Sequence, residues 1–300
     1  MTRVALVANP AAGAGTGATA VHCAERELRA LGATVRTVAG SSAAATAAAL
    51  RELIDAAAVD RAIVLGGDGI VHLAVQVLAE GSIPLGICPV GSGNDIAAAM
   101  SIPPDLDEAL RTALGPTRSI DLLRIGDHWA ASIATIGFAG DVNACANRLR
   151  RPRGASRYTV ATIVELPRLQ ARPVQLSIDD GAPSAIQATL VAVANTDRFG
   201  GGMRIAPDAA PDDGLLDITV VGPVGRLRLL RFFGRVFRGT HTTLAEVTTY
   251  RGGRVALSCP GVQLWADGEP VGGPFGSEPV SIEIVRNALV VAAPSPPTGK

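Results

Sequence analysis

Three hundred residues are enough for two ordinary domains, and with 48% of them hydrophobic the chain can bury substantial cores. Its 27 basic residues balance 27 acidic ones and only 3% are aromatic, so there is neither a net field nor a stacking platform for nucleic acid, and that partner class is excluded. Cys23, Cys88, Cys145 and Cys259, like His22, His72, His128 and His241, show no spacing of a disulfide framework or zinc site, which suits a reduced, cytoplasmic setting.

The opening MTRVALVANP has too short an apolar run for a signal peptide, and no later stretch is apolar for long enough to span a bilayer. Strand-like runs then alternate with helical ones: RVALVAN with ATAVHCAERELRALG, TVRTVAG with AAATAAALRELIDAA, RAIVLGG with IVHLAVQVLAEG, PLGICPV with NDIAAAM. Such alternation predicts a parallel sheet wrapped by helices, with ligands at the carboxyl ends of its strands. The loops falling there, NPAAGAGTG, AGSS, GGDG and VGSGND, are all built of small residues. After SIPPDLDEALRTALGPTRSIDLLRIG come short apolar or alternating runs separated by turns: WAASIATIGF, VQLSIDD, QATLVAVAN, LLDITVVG, RVALS, VQLWADGE, VSIEIV and ALVVAAP. AGDVNACANRLRR, SRYTVATIVELPRLQ and VGRLRLLRFFGRVFRG interrupt them as helices. The expectation is an α/β domain over residues 1–122 and a β-rich domain over 123–300, the extreme C-terminus packing back on the first.

In LGGDGI, glycines permit a sharp strand-to-helix turn whose main-chain amides, with the helix N-terminus, suit phosphate oxygens. Asp68 would repel phosphate unless a cation or proton intervened, so it points to magnesium or to a buried polar network; as a helix cap it has a plain structural reading too. PVGSGNDIA repeats the logic: Gly91 and Gly93 keep the backbone near a ligand, Ser92 offers a hydroxyl, and Asn94 and Asp95 can cap a helix. The ADGE of ADGEPV and the DDG of APDDGLLDI, read alone, are favoured Asp-Gly turns.

Taken together, ANPAAGAG, GGDGIVH, PLGICPVGSGND, SIDLLRI, PDDGLLDI and ADGEPV stand in the order of the diacylglycerol kinase catalytic-domain family, which includes bacterial soluble lipid kinases and sphingosine kinases. The chain resembles it over nearly its whole length; GGDG alone would not be specific, because NAD kinases are similar there. The resemblance implies an α/β nucleotide-binding domain with a parallel sheet, of the NAD kinase/diacylglycerol kinase type, a β-rich sandwich-like lipid domain, and an active site in the cleft between. By resemblance Asn9, the stretch Gly66, Gly67, Asp68, Gly69, Ile70, Val71 and His72, and Ser92 align with nucleotide contacts; Gly91 and Asn94 share the second loop, and Ser41 falls near a Thr-bearing contact. Asp68, Asp95 and Asp121 match an aspartate network linked to a catalytic magnesium ion, and Asp267 and Glu269 the acidic pair that supplies the base, Glu269 first. Asp213, with carbonyls of Ala210 and Leu215, matches a second, structural metal site of the bacterial soluble members.

The chain departs from the family pattern after GGDG, where Ile70 lacks the usual threonine hydroxyl and His72 and Leu73 replace an amide and a carboxylate. A lost phosphate contact there would cost about 1 kcal/mol, with main-chain contacts intact. Arg226, Arg228, Arg231, Arg235 and Arg238 lie among Leu and Phe, a pattern that fits either a helix on an anionic bilayer or a core-packed helix with solvated arginines; RLRRPRG at 148–154 is a second basic candidate. The expected activity is ATP- and Mg2+-dependent transfer of the γ-phosphate to a lipid hydroxyl, diacylglycerol to phosphatidic acid first, by a cytoplasmic enzyme meeting its lipid at the inner membrane face. The alternatives are another lipid acceptor, such as a sphingoid base or other lipid alcohol, and a nucleotide- or lipid-binding protein without turnover; a homodimer stays open.

Overall fold

A computed structural model of the chain describes residues 1–8, 16–91, 93–149 and 156–294, apart from the side chains of residues 16 and 17. The chain divides into two compact units, Met1–Ile120 with Asn287–Lys300, and Asp121–Arg286.

In the first unit β1 (Arg3–Ala8), β2 (Thr34–Val38), β3 (Arg61–Gly66) and β4 (Leu85–Pro89) form a parallel sheet ordered β2-β1-β3-β4. It is served by α1 (Thr16–Ala30), α2 (Ala43–Asp55), α3 (Asp68–Leu78), α4 (Asp95–Ala99) and α5 (Leu106–Leu114). The strands are continuous apolar runs because helices cover both faces: Val4, Leu6, Ile63, Val64 and Leu85 are wholly buried. Helix starts follow their caps, Ser42 accepting the Ala45 N–H at 3.1 Å and Asp105 the Glu108 N–H at 3.0 Å. Gly86 lets α5 close on β4, since a Cβ there would lie 2.5 Å from that of Ala113.

In the second unit β7 (Ile133–Gly137), β10 (Leu190–Ala194), β11 (Leu216–Val221), β12 (Val247–Gly252), β14 (Leu264–Ala266) and β15 (Glu269–Val271) form an antiparallel sheet ordered β12-β11-β10-β7-β14-β15. β9 (Ser184–Ala188), β8 (Arg172–Ile178) and β13 (Arg254–Ser258) follow one another in antiparallel pairs, and β13 pairs antiparallel with the first part of β16 (Val280–Ala292), to which β5 (Thr117–Ile125) and its hairpin partner β6 (His128–Ala130) add. The period of two sorts β10: Val191 and Val193 join the core with Val174, Leu176, Val255 and Ile282, while Leu190, Ala192 and Ala194 join one with the helices α6 (Phe138–Arg148), α7 (Ser156–Glu165) and α8 (Arg226–Val236). The unit is thus a sandwich with helices on one outer face.

Four expectations from the sequence change. WAASIATIGF splits into β6 and β7, because residues 131–133 turn their amides to Asp267. QATLVAVAN breaks at Thr189, whose carbonyl takes the Phe138 N–H at 2.9 Å. VSIEIV and ALVVAAP fuse into β16, whose Asn287, at φ +53°, marks where the chain re-enters the first unit. The polar run of β12 carries no alternation, its four central residues all being exposed, and stays invisible to pattern reading.

Candidate active site

In the first unit the two glycine loops lie backbone to backbone. β3 hands over at Gly66 and Gly67 to α3, which starts at Asp68, and the Val90 N–H donates to the Gly66 carbonyl at 3.2 Å. A Cβ on Gly91 would sit 2.2 Å from Gly67 Cα, so the second loop tolerates no side chain where it crosses the first. Asp68 then reaches across 27 positions: its Oδ2 accepts the Asp95 N–H at 3.2 Å and its Oδ1 the Ile96 N–H at 3.1 Å. These are amides at the start of α4, orphaned in any helix, and the carboxylate both pairs them and suits the positive helix end. Asn94, at φ +55°, clamps its own loop, accepting the Gly91 N–H at 3.1 Å and donating to the Gly91 carbonyl at 2.9 Å. Asp95 is buried at the base of this arrangement.

Ile70 packs its Cγ2 over Gly66, Val71 is buried in the core, and His72 is half-buried on α3 beside Gln76, so around Gly69 the main chain is the surface a ligand can meet. Ser41 is exposed and no bond between described residues joins it to the glycine loops. Its turn is held instead by Thr46, whose hydroxyl accepts the Gly40 N–H and donates to the Ser42 carbonyl, both at 3.0 Å. Asn9, Ser92 and the basic stretch from Arg150 to Gly154 lie outside the described residues.

In the second unit Asp121 is 2% exposed and woven into the 211–214 loop: its N–H donates to the Pro211 carbonyl and its Oδ2 accepts the Gly214 N–H, both at 2.7 Å. Asn195, which pattern reading passed over as the end of a strand, donates to the carbonyls of Asp121 at 2.7 Å and Ala131 at 3.0 Å. The signal for it was a lone amide closing an otherwise apolar run. Asp213 accepts the Leu215 N–H at 3.0 Å and ion-pairs with Arg251, which also holds Asp217 at 3.1 Å. The positive charge at this loop is therefore a guanidinium already seated on Asp213. Ala210, Asp213 and Leu215 share this loop, where the Asp213 carboxylate meets the Arg251 guanidinium and the Leu215 N–H. Burial pushes the Asp217 carboxyl up, against the opposing pull of Arg251.

The Asp-Gly turn between β14 and β15 separates two carboxylates completely. Asp267, at φ +50°, accepts the N–H groups of Ala131 and Ser132 at 2.9 Å and of Ile133 at 3.3 Å, a structural anchor. Glu269 is exposed, and its carboxylate has no hydrogen-bond or ion-pair partner among the described residues. α6 runs from this turn, where Asn147 donates to the Gly268 carbonyl at 3.5 Å, to an apolar cavity within the same unit. The cavity holds about 570 Å3 of space, its open mouth included, and is lined by residues such as Phe138, Val142, Tyr158, Leu190, Phe199 and Phe232.

Two family models match the chain: the diacylglycerol kinase catalytic domain over residues 3–125 and the YegS C-terminal NAD kinase beta sandwich-like domain over 132–293. A diacylglycerol kinase of Mycobacterium tuberculosis is 38% identical over 297 residues, 95% of each chain, and that of Bacillus subtilis 30% identical over 241 residues, 78% of this chain and 77% of its own. A solved structure titled as a diacylglycerol kinase from Bacillus anthracis has the same fold at a TM-score of 0.79 and 21% identity, covering 98% of this chain and 97% of its own. Among the described residues no helix is long and apolar enough to cross a membrane. The chain belongs to the diacylglycerol kinase family of lipid kinases.

Proposed function

We propose that the chain transfers the γ-phosphate of ATP to the hydroxyl of diacylglycerol, giving phosphatidic acid. The observation that carries the lipid acceptor is the open, apolar-lined cavity of the second unit, walled in part by the same helix that meets the Asp-Gly-Glu turn. An acyl chain matches that lining; a polar acceptor such as a dinucleotide does not.

The first unit supplies the nucleotide site. Gly66, Gly67 and Gly69 offer main-chain amides to phosphate oxygens, while Asp68 fixes the second loop against the first. Because Asp68 already takes the leading amides of α4, the phosphates fall to the glycine turn rather than to that short helix. Asp68 and Asp95 also fit a magnesium ion arriving with the nucleotide: they are hard oxygen donors, and among the described residues no third acidic, His or Cys side chain completes a closed cage, which suits an ion that keeps waters and phosphate oxygens. When bound, magnesium would neutralise phosphate charge.

Glu269 is the base. Its unengaged carboxylate accepts the proton of the acceptor hydroxyl as the oxygen attacks phosphorus, and the leaving group is ADP. Asp267 positions the turn and is spent on three amides, so it does not exchange a proton in the cycle. Asp121 acts through the loop it grips rather than by direct contact.

The test is radiolabelled ATP offered with diacylglycerol, sphingosine and NAD in separate reactions. Label in phosphatidic acid at the highest kcat/KM is expected. Faster labelling of sphingosine or NAD, or nucleotide binding without transfer to any acceptor, would overturn the proposal.

A further inference from the structure

Helix α8 has two apolar faces. Leu229, Phe232 and Val236 are buried, and with Phe233 they wall the cavity. On the opposite side Leu227 is 80% exposed, Leu230 47% and Phe237, capping the helix, 50%. At 3.6 residues per turn, Leu227, Leu230, Gly234 and Phe237 fall on one stripe, so the exposed apolar groups form a ridge. Arg228, Arg231, Arg235 and Arg238 flank it on one side and Arg226 on the other.

Burial accounts for the first face and leaves the second unexplained. Nine large hydrophobic side chains are exposed among the described residues, and five lie on α7 and α8, Ile163 and Val164 being the α7 pair. The end of that helix adjoins the start of α8, where Arg226 donates to the Pro167 carbonyl at 2.6 Å. No acidic residue occurs from 226 to 238; Arg228 pairs with Glu246, whereas Arg231, Arg235 and Arg238 have no side-chain partner among the described residues. An apolar ridge bordered by unpaired guanidinium groups is complementary to one medium, a bilayer with anionic headgroups over an apolar interior.

We infer that the outer face of α8 docks the enzyme on an anionic lipid bilayer, the ridge entering the headgroup boundary and the arginines meeting lipid phosphates. The helix then stands between bilayer and cavity, one face to each. This goes beyond the kinase reaction, since vesicle binding needs neither nucleotide nor acceptor and can fail while the proposed activity stands.

The experiment is co-sedimentation of the full-length protein with vesicles of equimolar phosphatidylglycerol and phosphatidylcholine, and with phosphatidylcholine alone, without ATP or diacylglycerol. The expected result is binding to the anionic vesicles that weakens with salt. Leu230→Asp with Phe237→Asp should lower it at least about tenfold, and Arg231→Glu with Arg235→Glu by about as much. None of these four residues lines the cavity, and exposure predicts unchanged unfolding midpoints, which are measured alongside. Equal binding to both vesicle types, or undiminished binding by either folded double variant, would overturn the inference. So would gel filtration in which the wild type is a dimer and Leu230→Asp with Phe237→Asp a monomer, because the ridge would then be covered by a second copy.

Discussion

Asp68 accepts the main-chain N–H of Asp95 at 3.2 Å, and through this bond and its neighbour to Ile96 one carboxylate joins two loops and the start of a helix. Asp68→Ala leaves both amides unpaired in a half-buried site, a cost of about 3 kcal/mol for two bonds to a charged group. Denaturant unfolding should register that loss, and nucleotide titration should show binding abolished. An unfolding midpoint equal to wild type would show that Asp68 does not hold the loops.

Asp267 is predicted to behave as structure. With three amides on its carboxylate, Asp267→Ala should cost about 3 kcal/mol and disorder the 131–133 turn, read by denaturant unfolding and by amide exchange at those residues. Asp267→Asn, which keeps one acceptor oxygen and retains the turn's shape, should recover part of both stability and turnover. A stable, inactive Asp267→Ala would instead make this residue the base.

How much of this was readable beforehand differs by element. The parallel sheet was legible because its strands are unbroken apolar runs between amphipathic helices, and the pairing of GGDG with GSGND followed from their place at one sheet edge. What Asp68 does there was open, since a cap and a cation ligand demand the same residue; it does not cap its own helix α3, whose N-cap is Gly67, but takes the amides of Asp95 and Ile96 at the start of α4. The breaks at Ala131 and Thr189 were hidden because long-range hydrogen bonds, to the Asp267 carboxylate and from the Phe138 N–H, impose them rather than local residues. Arg251 was silent for a similar reason: it meets Asp213 from 38 positions away, which no spacing rule covers.

Stability should fall on acidification partly through His241. The ring is fully buried, its Nε2–H donates to the Ile205 carbonyl at 3.0 Å, and its Nδ1 has no partner among the described residues, so burial lowers its pKa below the ordinary 6.5. The unfolded chain therefore takes up the proton first. The contribution is complete above about pH 6.5 and is lost as pH falls from there toward the lower folded value. His241→Gln should flatten the unfolding midpoint between about pH 7 and about pH 5; an unchanged slope would contradict the assignment.

Arg251→Met removes the cation shared by Asp213 and Asp217. Because these groups are partly exposed, the cost is about 1 kcal/mol. The Asp217 carboxyl, already raised by burial, should rise further. A raised folded value gives stability that is present at low pH and lost as pH climbs through it, so the variant should be hurt more at neutral than at acidic pH. Melting curves at both conditions decide it, an equal drop at each being the contrary result.

The central claim is that Glu269 takes the proton while the glycine loops hold the nucleotide, and single-turnover transfer of label from ATP to diacylglycerol by wild type and Glu269→Gln, with ATP affinity titrated in parallel, tests it most directly. The account predicts that Glu269→Gln binds ATP as wild type does, unfolds at the same denaturant concentration, and transfers label about a hundredfold to ten-thousandfold more slowly. Transfer at the wild-type rate would contradict it.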